Sequence, residues 1–306
     1  MTAEDIRPER LSRPAAASAD SAYKAHDEAN FRRYLEDLKG LALAAEEVIA
    51  GGQKGSFSAG KFDFPVNAVW DLKTPSTLHF MAGIELVSDP RYAHAADLMV
   101  RALLEALAHL CWIWFGEPAT NRVQVKPGMC LGDEGVGGCT AERRAVCLAL
   151  GMARVFSDNI AKVDANLVPE GTSAAVQERL DRLTEIHKKL GCTGTGRTWQ
   201  DVRPMLALLK KQGRIPWAHD LWVAESGVAH GLIPDQYWSS VTGVTMKGGP
   251  AEPEARKLLA QWLVKTYFNF AYCCVGILRP AETKRFREMV SGALTGWTLQ
   301  WADGEK

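Results

Sequence analysis

The sequence predicts an all-α protein: a single helical bundle of eight or nine helices, preceded by a flexible N-terminal arm. Apolar residues recur at spacings of three and four along most of the chain, which is the period of a helix buried along one side. No stretch alternates convincingly enough to predict a sheet. Hydrophobic residues make up 47% of the chain and charged residues 24%, which is typical of a globular protein.

Charge and cysteine content limit the binding partners and the cellular compartment expected for this protein. Lysine plus arginine equals aspartate plus glutamate, 36 each, so no net field draws the whole molecule to nucleic acid or to a membrane surface. The seven cysteines form no C-x-x-C pair, which favours a reducing, cytoplasmic compartment. The most apolar run, Trp262 to Leu278, contains Lys265 and Asn269, so we expect a buried helix there and no membrane span.

The chain divides into an arm at residues 1–25 and a helical bundle domain at residues 26–302. The arm is rich in alanine, serine, proline and charge, with little to bury. A first helix runs from Asp27 to the Gly51-Gly52 stop, with apolar residues at Phe31, Tyr34, Leu35, Leu38, Leu41, Leu43 and Val48. A loop is expected from there to Pro75, with a short strand over Phe62–Trp70 as the alternative, and a second helix from Pro75 to Val87.

The helix from Arg91 to Phe115 shows the clearest pattern. Its polar residues come every fourth position, at Asp97, Arg101, Glu105 and His109, and nearly all the others are apolar. Four-residue steps drift by about 40° around a helix, so the four side chains form one narrow polar stripe. The stripe is either a solvated face with two i, i+4 ion pairs or a buried polar seam in which Arg101 lies between two carboxylates.

The second half begins with a glycine-rich loop at residues 116–140. Gly132 to Gly138 invites comparison with a phosphate-binding loop, but the Lys-Ser or Lys-Thr pair is missing, and Asp133 and Glu134 would repel phosphate. Further helices are predicted at Thr140 to about Leu167, Thr172–Leu190, Trp199–Gln212, around His219–Gly231, at Pro253–Leu278 and at Glu282–Leu294.

The stretch from His219 to Gly231 carries a candidate nucleophile and base. Ser226 and His230 are four residues apart, as are Gly227 and Gly231, so a helix here would present two polar groups beside a track of small residues. A serine nucleophile also needs an acid to orient its base and donors for an oxyanion, which this spacing does not supply. The alternative is a local hydrogen bond within ordinary packing.

The sequence predicts no cofactor and no metal. The histidines make no H-E-x-x-H or H-x-x-x-H motif, and the cysteines make no paired motif. Cys130 and Cys139 in the glycine-rich loop are the residues that could still join a histidine from elsewhere.

Two resemblances suggest a function. Arg182-Leu-Thr-Glu-Ile-His187 resembles the R-x(4–6)-H motif of the HEPN superfamily, helical bundles that in many members cleave RNA as dimers in toxin, abortive-infection or CRISPR systems. That resemblance implies that Arg182 and His187 are a catalytic pair. Arg214 and His219 also match the motif.

The second resemblance covers residues 95 to 280. The R-x3-E motif at Arg101 and Glu105, followed by S-x3-H-G from Ser226 to Gly231, resembles a family of bacterial, especially actinobacterial, all-helical proteins that are loosely HEPN-like. It implies that the two helices face each other and that Arg101, Glu105, Ser226 and His230 form an internal polar cluster. The cluster would be catalytic, or a buried network that fixes helix register.

Two function classes follow. In the first, the protein acts on RNA or nucleotides in a toxin or defence system through that cluster, and basic residues contact phosphates, namely Lys188, Lys189, Lys210, Lys211, Arg214, Lys284, Arg285 and Arg287. In the second, it is a non-enzymatic helical sensor or protein-interaction module in which the cluster is structural. The ten tryptophans, and a last helix ending near Trp297 and Trp301, suit an interface with a protein partner or in a homodimer.

Overall fold

The computed structural model describes residues 28–51, 64–115, 141–191, 202–229, 253–294 and 299–302. Within these ranges the chain forms nine α-helices and no strand, so the predicted all-α fold is confirmed. The expected N-terminal arm at 1–25 and the glycine-rich loop at 116–140 lie outside the described residues. None of the described helices combines the length and the apolar character needed to cross a membrane.

The helices follow one another as α1 (Glu28–Gly51), α2 (Phe64–Ser88), α3 (Ala96–Phe115), α4 (Ala141–Ile160), α5 (Thr172–Lys189), α6 (Val202–Lys211), α7 (Pro216–Ala229), α8 (Pro253–Leu278) and α9 (Thr283–Ala293). Short 3₁₀ turns occupy Ala93–Ala95, Ala165–Leu167 and Pro280–Glu282. The bounds of α8 coincide with the predicted ones because Pro253 starts the helix and Pro280 prevents its continuation.

The start of α2 differs from the prediction. The helix begins at Phe64, so neither the loop nor the alternative strand expected over 64–74 is present. Pro65 lies in the first turn, where its missing N–H leaves no hydrogen bond unmade, and Pro75 is tolerated inside the helix on its exposed side. The proline that looked like a helix start is therefore an interior residue.

Two other helices are shorter than predicted. α3 begins at Ala96 and is preceded by a 3₁₀ turn, whereas α4 ends at Ile160 and not near Leu167. Val163 and Leu167 continue the apolar period of α4 but are exposed, because no helix among the described residues covers them. Leu43 of α1 is exposed as well, although its spacing placed it among the core residues.

The core forms around three long helices, α2, α3 and α8, each of which packs against the other two. α1 covers α8 and α2, α6 and α7 pack on α3, and α4 pairs with α5 beside α2. The buried apolar side chains of these helices form one contiguous cluster. At its centre the rings of Phe80 and Tyr267 stack with centroids 4.4 Å apart, and Phe268 contacts both edge-on.

Two glycines allow helices of the core to approach closely. A Cβ on Gly276 of α8 would lie 2.0 Å from the ring of Trp114 on α3, and one on Gly83 of α2 would lie 2.6 Å from Leu263 of α8. A side chain at Gly276 would overlap the rigid ring of Trp114, whereas one at Gly83 would require the end of the Leu263 side chain to move. The sequence suggested a close approach at Gly227 and Gly231 instead, and Gly231 lies outside the described residues.

Candidate functional site

The polar stripe of α3 is buried at its two ends and half-exposed in the middle. Asp97 and His109 are buried, whereas the side chain of Arg101 is 24% exposed and that of Glu105 is 40% exposed. The stripe is thus neither a fully solvated face nor a continuous buried seam. Its two ends and its middle therefore have different environments.

Arg101 connects two elements. Its Nε donates a hydrogen bond to Oε1 of Glu105 at 3.2 Å, one turn further along α3. Its guanidinium carbon also lies 5.5 Å from the ring centroid of Trp222 on α7, within the range of a cation–π contact. α7 packs against α3, so Arg101 contributes both to the surface of α3 and to the α3–α7 interface.

Asp97 does not form the second ion pair that the stripe predicted. Neither of its carboxylate oxygens has a hydrogen-bond partner within the described part of the chain, and burial raises its pKa well above the usual range for a carboxyl. The Nδ1 atom of the nearby His94 also lacks a partner there. The predicted position of Arg101 between two carboxylates was wrong, because its guanidinium bonds to Glu105 and lies over Trp222.

The other two members of the predicted cluster are only partly placed. Ser226 lies in α7, the helix that contacts α3, and His230 lies outside the described residues. A site formed by Arg101, Glu105, Ser226 and His230 therefore stays a prediction. What the structure brings together is α3 and the helix that carries Ser226.

The HEPN-like pair lies on α5. His187 is buried, whereas Arg182 is exposed and lines a cavity between α2, α4 and α5. In the other match to this motif, His219 Nδ1 lies 3.1 Å from Asp220 Oδ1, and Asp220 also accepts a hydrogen bond from Lys210. That second match is part of a surface charge cluster.

The cavity beside Arg182 has a volume of about 490 Å³. Its buried walls are apolar, with Leu148 of α4 and Leu183 of α5 among them. Arg179 and Arg182 line its exposed side, where Arg179 faces Asp71 of α2 at 3.9 Å. The sequence does not reveal this cavity, because one wall comes from the segment 64–74, whose local pattern predicts a loop.

Several residues proposed for phosphates or interfaces make contacts within the protein. Among the basic residues, Lys189 pairs with Glu185, Lys210 with Asp220 and Lys284 with Glu288. Trp301 is 2% exposed and packs against Tyr272 with ring centroids 5.0 Å apart. Trp301 therefore belongs to the core, which corrects its expected place at an interface, and Trp297 lies outside the described residues.

A buried arginine that no sequence motif indicated joins three helices through polar contacts. Arg256 at the start of α8 donates to the carbonyls of Val87 and Ser88, which end α2, and its guanidinium pairs with both carboxylate oxygens of Glu28 in α1. Its side chain is 3% exposed and also lies over the ring of Phe31. Every one of these contacts joins helices, which indicates a structural role.

Within the described ranges, no grouping of three or more histidine, cysteine, aspartate or glutamate side chains could hold a metal ion. Cys130 and Cys139 lie outside those ranges. The sulfur atoms of Cys111 on α3 and Cys273 on α8 lie 3.4 Å apart as free, buried thiols.

No protein-family model matches this chain, and neither a curated protein nor a solved structure is detectably similar to it. The HEPN-like and actinobacterial resemblances therefore stay predictions that rest on short motifs.

Proposed function

We propose that this protein is a non-enzymatic helical sensor or protein-interaction module, in which the polar residues of α3 are architectural. One observation carries the proposal: Arg101 is engaged by Glu105 on its own helix and by Trp222 on α7. An arginine with these two contacts joins α3 to α7. A catalytic arginine directs donors at a reacting group, whereas the Nε donor of Arg101 is directed at Glu105.

The alternative is a HEPN-like enzyme that acts on RNA or a nucleotide in a toxin or defence system. One observation favours it: Arg182 lines the exposed side of a cavity, five residues before the buried His187. Both proposals place the protein in the cytoplasm, which the lack of a paired cysteine motif in the sequence favours.

The experiment that separates the two is a turnover assay. Purified protein is incubated with mixed RNA and with nucleotides, beside Glu105→Ala, His230→Ala and Arg182→Ala variants whose melting temperatures are measured in parallel. We expect no turnover by any form. Degradation by the wild type that disappears in well-folded variants would establish an enzyme and end the proposal.

A double-mutant cycle tests the architectural role directly. Arg101→Met and Trp222→Leu are compared singly and together by urea denaturation. A cation–π contact across the α3–α7 interface predicts a coupling free energy of about 0.5–1 kcal/mol. Strictly additive effects of the two substitutions would show that Arg101 does not hold α7.

A further inference from the structure

The cavity between α2, α4 and α5 has the size of a small-molecule site. Its volume of about 490 Å³ falls within the range of about 300–1,000 Å³ that such sites occupy. Small side chains of two helices line it, namely Ala145 and Ala149 of α4 and Ala68 of α2. Larger residues there would have filled the space and joined the helices directly.

The walls and the exposed side of this cavity have different chemistry. The buried residues are apolar, with Leu148 and Leu183 offering only hydrocarbon. The exposed side carries two guanidinium groups, those of Arg179 and Arg182, one turn apart on α5, and among the described residues that line the cavity Asp71 supplies the carboxylate. A ligand that matched both would have an apolar body and a negatively charged end.

Trp70 supplies a third feature. It lines the cavity, and its indole Nε1 is buried with no hydrogen-bond partner among the residues the structure describes. A buried donor left without an acceptor is unfavourable, and most such groups in folded proteins are satisfied. An oxygen of a bound ligand is one way to provide that acceptor.

We propose that this cavity binds a small amphiphilic organic anion, such as a carboxylate with an aromatic or medium-length aliphatic body. The anionic group pairs with Arg179 and Arg182, and the apolar body packs against the alanines and leucines of the walls. This inference rests on the proposed function, since it names the ligand class of a sensor. A phosphodiester strand fits less well, because it would leave the apolar walls unfilled.

The test uses the full chain and the fluorescent aromatic sulfonate 8-anilinonaphthalene-1-sulfonate as the probe. We expect saturable binding that decanoate displaces at concentrations about tenfold lower than decan-1-ol does, since the charge of the carboxylate contributes one or more charge-assisted hydrogen bonds. Equal displacement by the acid and the alcohol would overturn the proposal.

Two variants locate the site. Arg179→Gln/Arg182→Gln removes the charges at the surface and should weaken decanoate binding about tenfold or more. Ala149→Phe fills the cavity and should abolish decanoate binding. The matched control is Lys188→Gln, which removes a positive charge from an exposed position on the same helix that does not line the cavity.

Circular dichroism and melting temperatures establish whether each variant is folded. If Ala149→Phe does not fold, the arginine double variant alone tests the site. Unchanged affinity in the folded variants would overturn the inference. A chain that neither binds decanoate nor turns over RNA disproves only this inference and leaves a protein-interaction module. Turnover of RNA would disprove the proposed function, whatever the cavity binds.

Discussion

At the scale of single residues, the environment of Asp97 departs from what its sequence position suggests. It lies in the first turn of α3, where the helix dipole favours a carboxylate. Burial nevertheless raises its pKa, since no donor within the described residues compensates for the lost water. Desolvation therefore outweighs the dipole at this position.

We predict that Asp97→Asn stabilises the protein above pH 5. A carboxyl whose pKa is raised by folding binds more protons in the folded state, so its contribution to stability falls as pH rises above the unfolded-state pKa of about 3.9. Asparagine cannot ionise and avoids this loss, which predicts a gain of about 1–3 kcal/mol at pH 8 and a smaller one at pH 5.

Melting temperatures at the two pH values check this prediction. Asp158→Asn on the exposed surface of α4 serves as the control and should change little at either pH. An Asp97→Asn variant that melts below the wild type at pH 8 would show that the carboxylate has a partner.

The four-residue spacing of the polar stripe on α3 predicted part of its ion pairing. It placed Arg101 within reach of both Asp97 and Glu105, and the bond to Glu105 is present. Spacing along one helix does not decide which way a side chain turns. Trp222 comes from a helix about 120 positions later in the chain, so its contact with Arg101 could not be read from the pattern of α3.

At the scale of helices, the close contact between α3 and α8 depends on Gly276. The ring of Trp114 occupies the space where a side chain would begin, at 2.0 Å from an ideal Cβ. No carbon atom can be placed at that distance, so any larger residue must displace Trp114 or separate the helices.

We predict that Gly276→Ala destabilises the protein by about 1–3 kcal/mol, because overpacking outweighs the better helix propensity of alanine. Gly40→Ala in α1 is the matched control: a Cβ there meets nothing within 4 Å, and we expect a gain of about 0.5–1 kcal/mol. Urea denaturation measures both. A stabilised Gly276→Ala variant would mean that Trp114 moves aside at no cost.

At the scale of the whole molecule, Arg256 joins three helices that are far apart in sequence. The last carbonyls of a helix have no partner within it, and Arg256 supplies donors to two of them at the end of α2. Its pair with Glu28 holds the start of α1, 228 positions away. The hydrogen bond from Arg256 is also the main cause of the lowered pKa of Glu28.

We predict that Arg256→Met costs about 2–4 kcal/mol, since it leaves two carbonyls at the end of α2 without their donors and removes the ion pair with the half-exposed Glu28. Arg32→Met is the control. Arg32 pairs with the same carboxylate at the surface, and its loss should cost less than about 1 kcal/mol. Equal costs for the two substitutions, measured by urea denaturation, would contradict a structural role for Arg256.

The same contact gives a pH dependence with a defined sign. A carboxyl whose pKa is lowered by folding stabilises the protein above its unfolded-state pKa of about 4.3 and loses that contribution as pH falls through the folded-state value. The difference between the wild type and Arg256→Met should therefore narrow in acid, below the usual pKa of glutamate.

The sequence by itself determined the helical class and most of the helix positions. Apolar periods, prolines and glycines act within one or two turns, so they predict α8 between Pro253 and Leu278 and the end of α5 before Gly191. These local patterns gave a wrong prediction where one residue is compatible with two positions in a helix. Pro75 is such a residue: it is typical of a helix start but lies inside α2.

The tertiary structure alone decided which helices meet and which polar groups lose water. The cavity lined by Arg179 and Arg182, the contacts of Arg256 and the buried carboxyl of Asp97 all depend on neighbours from distant parts of the chain. A periodic pattern indicates which side of a helix is apolar, but it does not identify the helix that covers that side. For this reason the fold class followed from the sequence, whereas the candidate binding site did not.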